Sequence, residues 1–338
     1  MITSKFFGVY KGEDVLTYTL KNEYIETEII TFGGAIRTLF VYDKNGRKTD
    51  VVLGYNDLES YVKNGGALGA LIGRFGNRIE KGKFALNGKE YTLEINNGPN
   101  CLHGGFNGFD RRVWKSEIVG EKLKLSYFSV DGEGGFPGNL QTTVFYSLNG
   151  KSLKIEYFAK TDQDTVINLT NHTYFNLNGE GVSDVLDNQI FIDADMITPV
   201  DENLIPHGEF LDVTNTPFDL RKMQLIGKDI DKPHTVMQYC NGYDTNYVLS
   251  GKGYRLCAVA KSDKTGIQMK CFTDQPGVQF YTGNFLKGEK GKSGEYFRRY
   301  GFCLETQNYP NAVNCPTYPS AVLKKDDEYK SVTEFCFE

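Results

Sequence analysis

Hydrophobic residues recur at every second position along much of the chain. In the segment SLKIEYFAK, Leu153, Ile155, Tyr157 and Ala159 alternate with a second set of residues that is mostly charged. The segments KLKLSYFSV and NQIFIDAD show the same period of two. A period of two that is rich in aromatic and β-branched residues is typical of a strand with one buried face. The pattern therefore predicts a protein made mainly of half-buried β-strands.

The turns between these strands are expected to be tight. Asn-Gly pairs occur between extended segments at residues 45–46, 87–88 and 149–150. Asn and Gly both tolerate the positive φ that the two central residues of a type I′ turn require, and this turn matches the twist of a hairpin. We therefore expect an antiparallel hairpin at each of these positions.

Helices are expected to be few. Residues 56–64 (NDLESYVKN) can form one short helix with Asn56 as its N-cap, and residues 218–230 can form a turn or two of helix or a loop. The glycine-rich residues 132–138 are expected to form a surface loop. Because we find no linker, low-complexity segment or fixed-period repeat, we expect a single domain over residues 1–338. Its predicted fold class is all-β, a large antiparallel β-sandwich.

Composition and charge narrow the choice of partners. The net charge of −5 is modest and argues against nucleic acid, whose phosphates require a basic face. No apolar run reaches the roughly 18 residues of a membrane span, and charges from Lys5 onward interrupt any signal-peptide core. The seven cysteines are scattered without a C-x-x-C pair, which favours reduced thiols in a cytoplasmic protein. We expect a small-molecule ligand, no nucleic acid, no membrane, and a monomer or weak dimer.

Seven polar residues stand out because each lies in apolar or glycine-rich surroundings: Asn77, Arg78, His103, His172, Asp244, Gln275 and Glu305. Taken singly, most have a structural interpretation. A lone histidine beside Asn and Thr, such as His172 in NLTNHTYFNLNG, is commonly a hydrogen-bonded structural residue. Asp244 can close an Asx-turn, and Arg78 can pair with a surface carboxylate. Glu305 differs because it directly follows the apolar segment GFCL, where a carboxylate is costly to bury without a partner or a task.

The spacing of these residues argues against several familiar kinds of site. His103, His172, Asp244 and Glu305 have the atom types of a zinc site, but no H-x-H or H-E-x-x-H spacing joins two of them locally. The segment GGALGALIGRFGNR lacks the G-x-G-x-x-G spacing of a dinucleotide site, and no G-x-S-x-G nucleophile elbow is present. We therefore expect no bound metal and no cofactor.

Four motifs together resemble the galactose mutarotases, or aldose 1-epimerases: NGPNCLHGG, NLTNHTYFNL, QPGVQFYTGN and GFCLETQNYPNAVN. The resemblance spans residues 33–319 in one consistent order. It implies the supersandwich fold of that family, a sugar in an open cleft without a cofactor, and interconversion of the α and β anomers of hexoses such as galactose and glucose. It maps the catalytic base onto Glu305, the catalytic acid onto His172, and a group that stabilises the ring oxygen onto His103. The sugar-binding positions it implies are Asn77, Arg78, Asp244 and Gln275.

Two departures from the family pattern bear on substrate preference, and two alternatives stay open. Thr245 stands where the family often has His, and Tyr309 stands where it often has Trp. A hexose 6-phosphate substrate would require basic groups at the cleft, for which Arg74, Arg111 and Arg112 are the candidates. The other alternative is a non-catalytic sugar-binding protein on the same scaffold, since a fold alone does not establish activity.

Overall fold

The computed structural model describes residues 1–63 and 65–338, and the regular structure of these residues is almost entirely β-strand. The first fifteen strands are β1 (Ile2–Tyr10), β2 (Glu13–Lys21), β3 (Glu26–Ile30), β4 (Ile36–Tyr42), β5 (Lys48–Asp50), β6 (Leu71–Ile72), β7 (Arg78–Ile79), β8 (Lys83–Leu86), β9 (Lys89–Thr92), β10 (Cys101–Leu102), β11 (Lys115–Val119), β12 (Lys122–Ser129), β13 (Leu140–Asn149), β14 (Ser152–Thr161) and β15 (Thr165–Val166). The next fourteen are β16 (Thr170–Asn171), β17 (Gln189–Ile192), β18 (Ala194–Thr198), β19 (Leu211–Asp212), β20 (Gln224–Leu225), β21 (Asp244–Leu249), β22 (Arg255–Lys261), β23 (Gln268–Thr273), β24 (Gly277–Tyr281), β25 (Glu289–Lys290), β26 (Glu295–Tyr296), β27 (Cys303–Gln307), β28 (Val322–Leu323) and β29 (Glu328–Phe337). The helices of this part of the chain are α1 (Leu58–Lys63) and α2 (Thr235–Cys240).

Three large antiparallel sheets contain most of these strands. The first is a five-stranded meander, β1 to β5 in chain order. The second has nine strands in the order β11-β12-β13-β14-β29-β23-β22-β17-β20, and the third, here called the cleft sheet, has five in the order β19-β18-β21-β24-β27. Strand β29 follows every other strand along the chain, yet it lies in the middle of the nine-stranded sheet between β14 and β23.

One hydrophobic cluster joins the three sheets. It includes Leu39 from the first sheet, Ile155 from the second and Phe280 from the cleft sheet, and each of these side chains is fully buried. On β14 the alternating residues Leu153, Ile155, Tyr157 and Ala159 are all buried, as their spacing predicts. The all-β architecture with few short helices is therefore confirmed.

Two of the predicted Asn-Gly hairpins are present, one of them shifted. Asn87 and Gly88 join β8 to β9 with φ of 51° and 76°, as a type I′ turn requires. In the β13–β14 hairpin, Asn149 pairs with Ser152, so the two central residues are 150 and 151 rather than 149 and 150. The one-residue shift places Asn149 in the strand ladder instead of the turn.

The third Asn-Gly pair lies in a longer loop than expected. Tyr42 of β4 pairs with Lys48 of β5, so the residues between them are too many for a two-residue turn. The Asp43 carboxylate accepts hydrogen bonds from the backbone N–H groups of Asn45 and Arg47 at 2.8 and 2.9 Å. An Asp side chain therefore closes this loop, which is a common function of Asp in turns.

The predicted helix at residues 56–64 is present as α1, but its N-cap is not Asn56. The Asp57 carboxylate accepts from the backbone N–H of Ser60 at 2.8 Å, the hydrogen bond that an N-cap makes. The last residue of that prediction, 64, lies outside the described residues. In the second predicted segment only a 3₁₀ turn forms, at Ile226–Lys228, and α2 begins farther along the chain. Across residues 1–63 and 65–338, no helix combines the length and the apolar character that crossing a membrane requires.

Candidate active site

A cleft of about 750 Å³ opens at one end of the cleft sheet, a volume in the usual range for small-molecule sites. Six of the seven residues singled out from the sequence line it: Asn77, Arg78, His103, His172, Asp244 and Glu305. These residues come from segments that are far apart in the chain, so the fold brings them together. Tyr174 and Tyr281 supply aromatic walls.

The register of the cleft sheet places several polar side chains on one face. Glu305 in the middle of β27 pairs with Gln279 of β24. Tyr281 of β24 pairs with Cys303 of β27 on one side and with Asp244 of β21 on the other. Because residues two apart on a strand share a face, all five side chains point to the same side of the sheet.

The opposite face of the cleft sheet belongs to the core. Phe280 and Leu304 alternate with the cleft residues on β24 and β27 and are buried in the main hydrophobic cluster. This alternation explains how a carboxylate can follow the apolar segment GFCL. The same strand anchors itself in the core with one face and presents Glu305 with the other.

The short ribbon β7-β10 positions Asn77 and His103. The backbone N–H of Asn77 donates to Nδ1 of His103 at 3.1 Å, and the backbone N–H of His103 donates to the carbonyl of Asn77 at 3.0 Å. Both residues have left-handed φ values, 61° and 53°, which such reciprocal bonds can hold. Gly104 follows with φ 88°, and a Cβ there would lie 2.3 Å from the carbonyl oxygen of Gly73. Because Nδ1 of His103 accepts a hydrogen bond, its neutral ring carries the proton on Nε2.

His172 follows β16 directly and faces Glu305. Its backbone is fixed by hydrogen bonds to Ala70 and from Gly69, at 2.9 and 3.0 Å. Its ring stacks on Tyr174 with centroids 5.0 Å apart, and it meets the ring of His103 edge-on with centroids 5.2 Å apart. Nε2 of His172 lies 3.6 Å from Oε1 of Glu305. The backbone of His172 is thus hydrogen-bonded, as expected of a structural residue, while its side chain lines the cleft.

Burial sets the protonation of the acidic groups. Glu305 is only 2% exposed, and burial together with the Asp244 carboxylate raises its pKa well above the ordinary value, against the opposing effect of the Arg78 guanidinium. Burial also raises the pKa of Asp244, while Arg78 and a hydrogen bond from Gln279 oppose that shift. Oε2 of Glu305 has no hydrogen-bond partner among the described residues. Glu305 is thus a carboxylate of increased basicity, and its Oε2 can accept a proton or a hydrogen bond from a ligand.

The two histidines are kept neutral. Burial lowers the pKa of His172 to about 4, with a small opposing effect of a backbone hydrogen bond. Burial, the neighbouring His172 and the Arg78 guanidinium lower the pKa of His103 well below its ordinary value. At neutral pH both rings are therefore neutral imidazoles, each with one N–H to donate.

His103, His172 and Glu305 form a cluster of side chains of the types that bind metal ions. One ligand atom from each lies within 4.8 Å of the others, which is compatible with a cation by distance alone. However, Nδ1 of His103 accepts the N–H of Asn77, so its Nε2 keeps a proton and has no lone pair for a metal. The hydrogen bonding therefore favours a proton donor at His103 over a metal ligand.

Arg78 and Asp244 complete the polar lining of the cleft. Arg78 is 7% exposed, and its Nε donates to the side-chain oxygen of Asn97 at 3.0 Å, which fixes the orientation of the guanidinium. Asp244 accepts a hydrogen bond of 2.6 Å from Nε2 of Gln279. A fixed guanidinium and a fixed carboxylate offer the mixture of donors and acceptors that a ring of hydroxyl groups needs.

Gln275 is the one of the seven predicted residues that the structure does not place in the lining of the cleft. Gln275 precedes Pro276 and strand β24, its side chain lies 3.5 Å from Asp274, and its carbonyl accepts from Arg255. Three residues, 276–278, lie between it and Gln279, a separation of about 13 Å where the chain is extended. Gln279 donates a hydrogen bond to Asp244 and lies opposite Glu305 on the neighbouring strand, yet the sequence motifs did not single it out. The period of two could have found it, because Gln279 shares a face with Tyr281 inside the strand while Gln275 lies beyond a proline.

Thr245 and Tyr309, the two residues that differ from the family motifs, lie outside the lining of the cleft. Thr245 is fully buried on the face of β21 opposite Asp244. Tyr309 packs edge-on against Tyr318, with ring centroids 5.2 Å apart, in a separate cluster. Neither residue lines the cleft in the described structure, so any effect on substrate preference is indirect.

Known proteins resemble this chain over nearly its whole length. The family description "Aldose 1-epimerase" matches residues 16–336. Galactose mutarotase from Bos taurus is 47% identical over 323 residues, which cover 95% of this chain and 93% of the relative, and that from Homo sapiens is 45% identical over 341 residues, covering 99% and 98%. A solved structure of an aldose epimerase homologue from C. elegans superimposes with a TM-score of 0.88 at 29% identity, covering 99% of both chains.

Proposed function

The chain belongs to the aldose 1-epimerase family, and we propose that it interconverts the α and β anomers of free hexoses such as D-galactose and D-glucose with Glu305 as base and His172 as acid. One observation carries this assignment of roles. Oε1 of Glu305 and Nε2 of His172 lie 3.6 Å apart within the cleft. The hydroxyl oxygen and the ring oxygen of a hexose are both bonded to C1, so two groups this close can act on both oxygens at once.

The reaction needs only proton transfers. The Glu305 carboxylate takes the proton of the C1 hydroxyl while Nε2–H of His172 gives its proton to the ring oxygen. The bond between C1 and the ring oxygen breaks, which leaves Glu305 protonated and His172 as an imidazolate. The open-chain aldehyde rotates about its C1–C2 bond. The ring then closes on the other face of C1 as the two side chains exchange roles. Positioned acid–base catalysis of this kind contributes about 10²–10⁴-fold.

The electrostatics of the cleft suit these roles. A base is most effective when its pKa approaches the working pH, and burial raises the pKa of Glu305 in that direction. A neutral imidazole can act as a proton donor where burial keeps it uncharged, as His172 is here. The N–H on Nε2 of His103 can stabilise negative charge that develops on the ring oxygen.

The remaining residues bind the sugar. We assign the hydroxyls that do not react to Asn77, Arg78 and Asp244, the last of which is held by a hydrogen bond from Gln279. Tyr281 lines the cleft, where its ring can pack against the C–H side of the sugar. Substitution of these residues should alter KM more than kcat, because they hold substrate and transition state alike.

Polarimetry tests the proposal directly. The optical rotation of freshly dissolved α-D-galactose and α-D-glucose is followed with and without the protein, and the spontaneous rate is subtracted. The proposal requires faster equilibration of at least one sugar. If neither is accelerated while calorimetry shows sugar binding, the chain is a binding protein and the catalytic roles given to Glu305 and His172 are wrong.

The alternative of a phosphorylated hexose gains no support from the arginines. Arg74 is 2% exposed and donates to the carbonyls of Pro137 and Gly138, so it fixes the loop predicted at residues 132–138. Arg112 pairs with Glu133 at 2.7 Å. Arg111 lines the cleft, but it donates to the carbonyl of Val62 at 2.8 Å and pairs with Asp110 at 3.3 Å. We therefore expect no preference for glucose 6-phosphate over glucose in the same assay.

A further inference from the structure

Cys303 contacts the ring of His172 on the side away from Glu305. It lies two residues before Glu305 on β27 and therefore on the same face of the cleft sheet. Its Sγ is 3.5 Å from Nδ1 of His172, while Nε2 of the same ring is 3.6 Å from Glu305. Cys303 is a fully buried free thiol, and none of the roles assigned above uses it.

The environment of the ring determines which group donates in this contact. The titratable groups that face His172 are Glu305, Cys303, His103, Tyr174 and Tyr281. Burial and the Glu305 and Asp244 carboxylates raise the pKa of the Cys303 thiol well above its ordinary value, so it keeps its proton. An ionised Glu305 can only accept, which places the single proton of the neutral ring on Nε2. The lone pair on Nδ1 is then left for the S–H of Cys303.

We propose that Cys303 is a positioning residue that holds His172 in the tautomer with its proton on Nε2, by donating its S–H to Nδ1. This inference rests on the proposed function of His172 as acid. In many catalytic histidines a carboxylate or carbonyl accepts from Nδ1–H, which leaves Nε2 as a base. A donor at Nδ1 has the opposite effect and makes Nε2 a proton donor toward the ring oxygen.

Two substitutions separate hydrogen bonding from packing. Cys303→Ala removes the donor, and Cys303→Ser keeps a donor of similar size. We expect Cys303→Ala to lower kcat about tenfold, the effect of one lost orienting hydrogen bond, with KM little changed. Cys303→Ser should recover most of that loss. Cys271→Ala is the matched control, since Cys271 is equally buried on β23 but outside the cleft, and its kcat should equal that of the wild type.

The tautomer itself gives a readout that does not depend on activity. In protein labelled with ¹⁵N-histidine, His172 should show a protonated Nε2 and an unprotonated Nδ1 at neutral pH, its signals being assigned by their loss in His172→Gln. Cys303→Ala should shift these signals toward a mixture of tautomers. A protonated Nδ1 in the wild type, a wild-type kcat in Cys303→Ala, or equal losses in the Ala and Ser variants would each overturn the inference. A wild type without any mutarotase activity would instead refute the proposed function and leave the tautomer assignment standing on the NMR result.

Discussion

Replacing Glu305 by glutamine should separate catalysis from stability. The change keeps the shape of a side chain that is only 2% exposed, but the amide cannot accept the proton of the C1 hydroxyl. Loss of a positioned base should lower kcat about 10²–10⁴-fold, which corresponds to roughly 3–5 kcal/mol of activation free energy. The KM should change little, because the role assigned to Glu305 is exerted in the transition state.

The same substitution should stabilise the folded protein at neutral pH. Burial and the Asp244 carboxylate raise the pKa of Glu305 in the folded state, so the folded protein binds this proton more tightly than the unfolded chain does. The free energy of unfolding of the wild type should therefore fall as the pH rises from about 4.3, the ordinary pKa of glutamate, through the raised pKa of the folded state. Glu305→Gln has no group that titrates there and should not show this loss.

Thermal unfolding of both proteins between pH 4 and pH 8, combined with polarimetry, measures both effects. Glu90→Gln is the control, because Glu90 lies on the exposed hairpin β8-β9 with 65% of its side chain accessible. A rate within about threefold of the wild type in Glu305→Gln would refute its role as base, since even the lower limit for such a base is about 10²-fold. A stability difference between the two proteins that stays constant with pH would refute the burial argument.

Three further predictions concern the rest of the cleft. First, kcat/KM should rise with pH through the raised pKa of Glu305, since only its carboxylate accepts a proton. It should then stay level, because His172, with a pKa of about 4, is already neutral. A pH–rate profile from pH 4.5 to 9 that falls again above pH 7 would show that the acid is an imidazolium. Second, Gln279→Ala should raise KM for galactose several-fold, because it releases Asp244 from a hydrogen bond worth about 1 kcal/mol. Gln275→Ala should leave KM unchanged. Equal effects of the two substitutions would contradict the placement of the cleft. Third, His172→Asn should lower kcat by at least about tenfold without loss of sugar binding measured by calorimetry, and a variant that no longer binds sugar would assign His172 to substrate binding instead.

The architecture could be predicted from the sequence because its signal is local. Alternation in β14 and the Asn-Gly pair at residues 87–88 each report on a few neighbouring residues, and both predictions are confirmed. The errors lie where a neighbouring side chain takes over the loop or the cap. Residues 45–46 fail to form a two-residue turn because Asp43 closes the loop, and Asn56 loses the N-cap position to Asp57 while its own side chain donates to the carbonyl of Lys292.

The site was harder to predict than the fold. Motif resemblance selected six of the residues that line the cleft. Spacing alone could not show that Gln279, and not Gln275 of the same motif, contacts Asp244. The contact between Cys303 and His172 joins residues 131 positions apart, so no local sequence pattern predicts it. The raised pKa of Glu305 likewise depends on Asp244 and on burial by the whole fold, so it required the structure.

The central position of β29 has a consequence for how this protein is made. Four strands lie on each side of it in the nine-stranded sheet, and the two groups meet only through its pairings with β14 and β23. Because residues 328–337 follow all the other strands of this sheet along the chain, they leave the ribosome after them, and the facing edges of β14 and β23 stay unpaired until then. Unpaired strand edges recruit other chains, so this protein is exposed to misassembly during synthesis rather than after it. A chain truncated before residue 328 loses the strand that joins the two halves of its largest sheet.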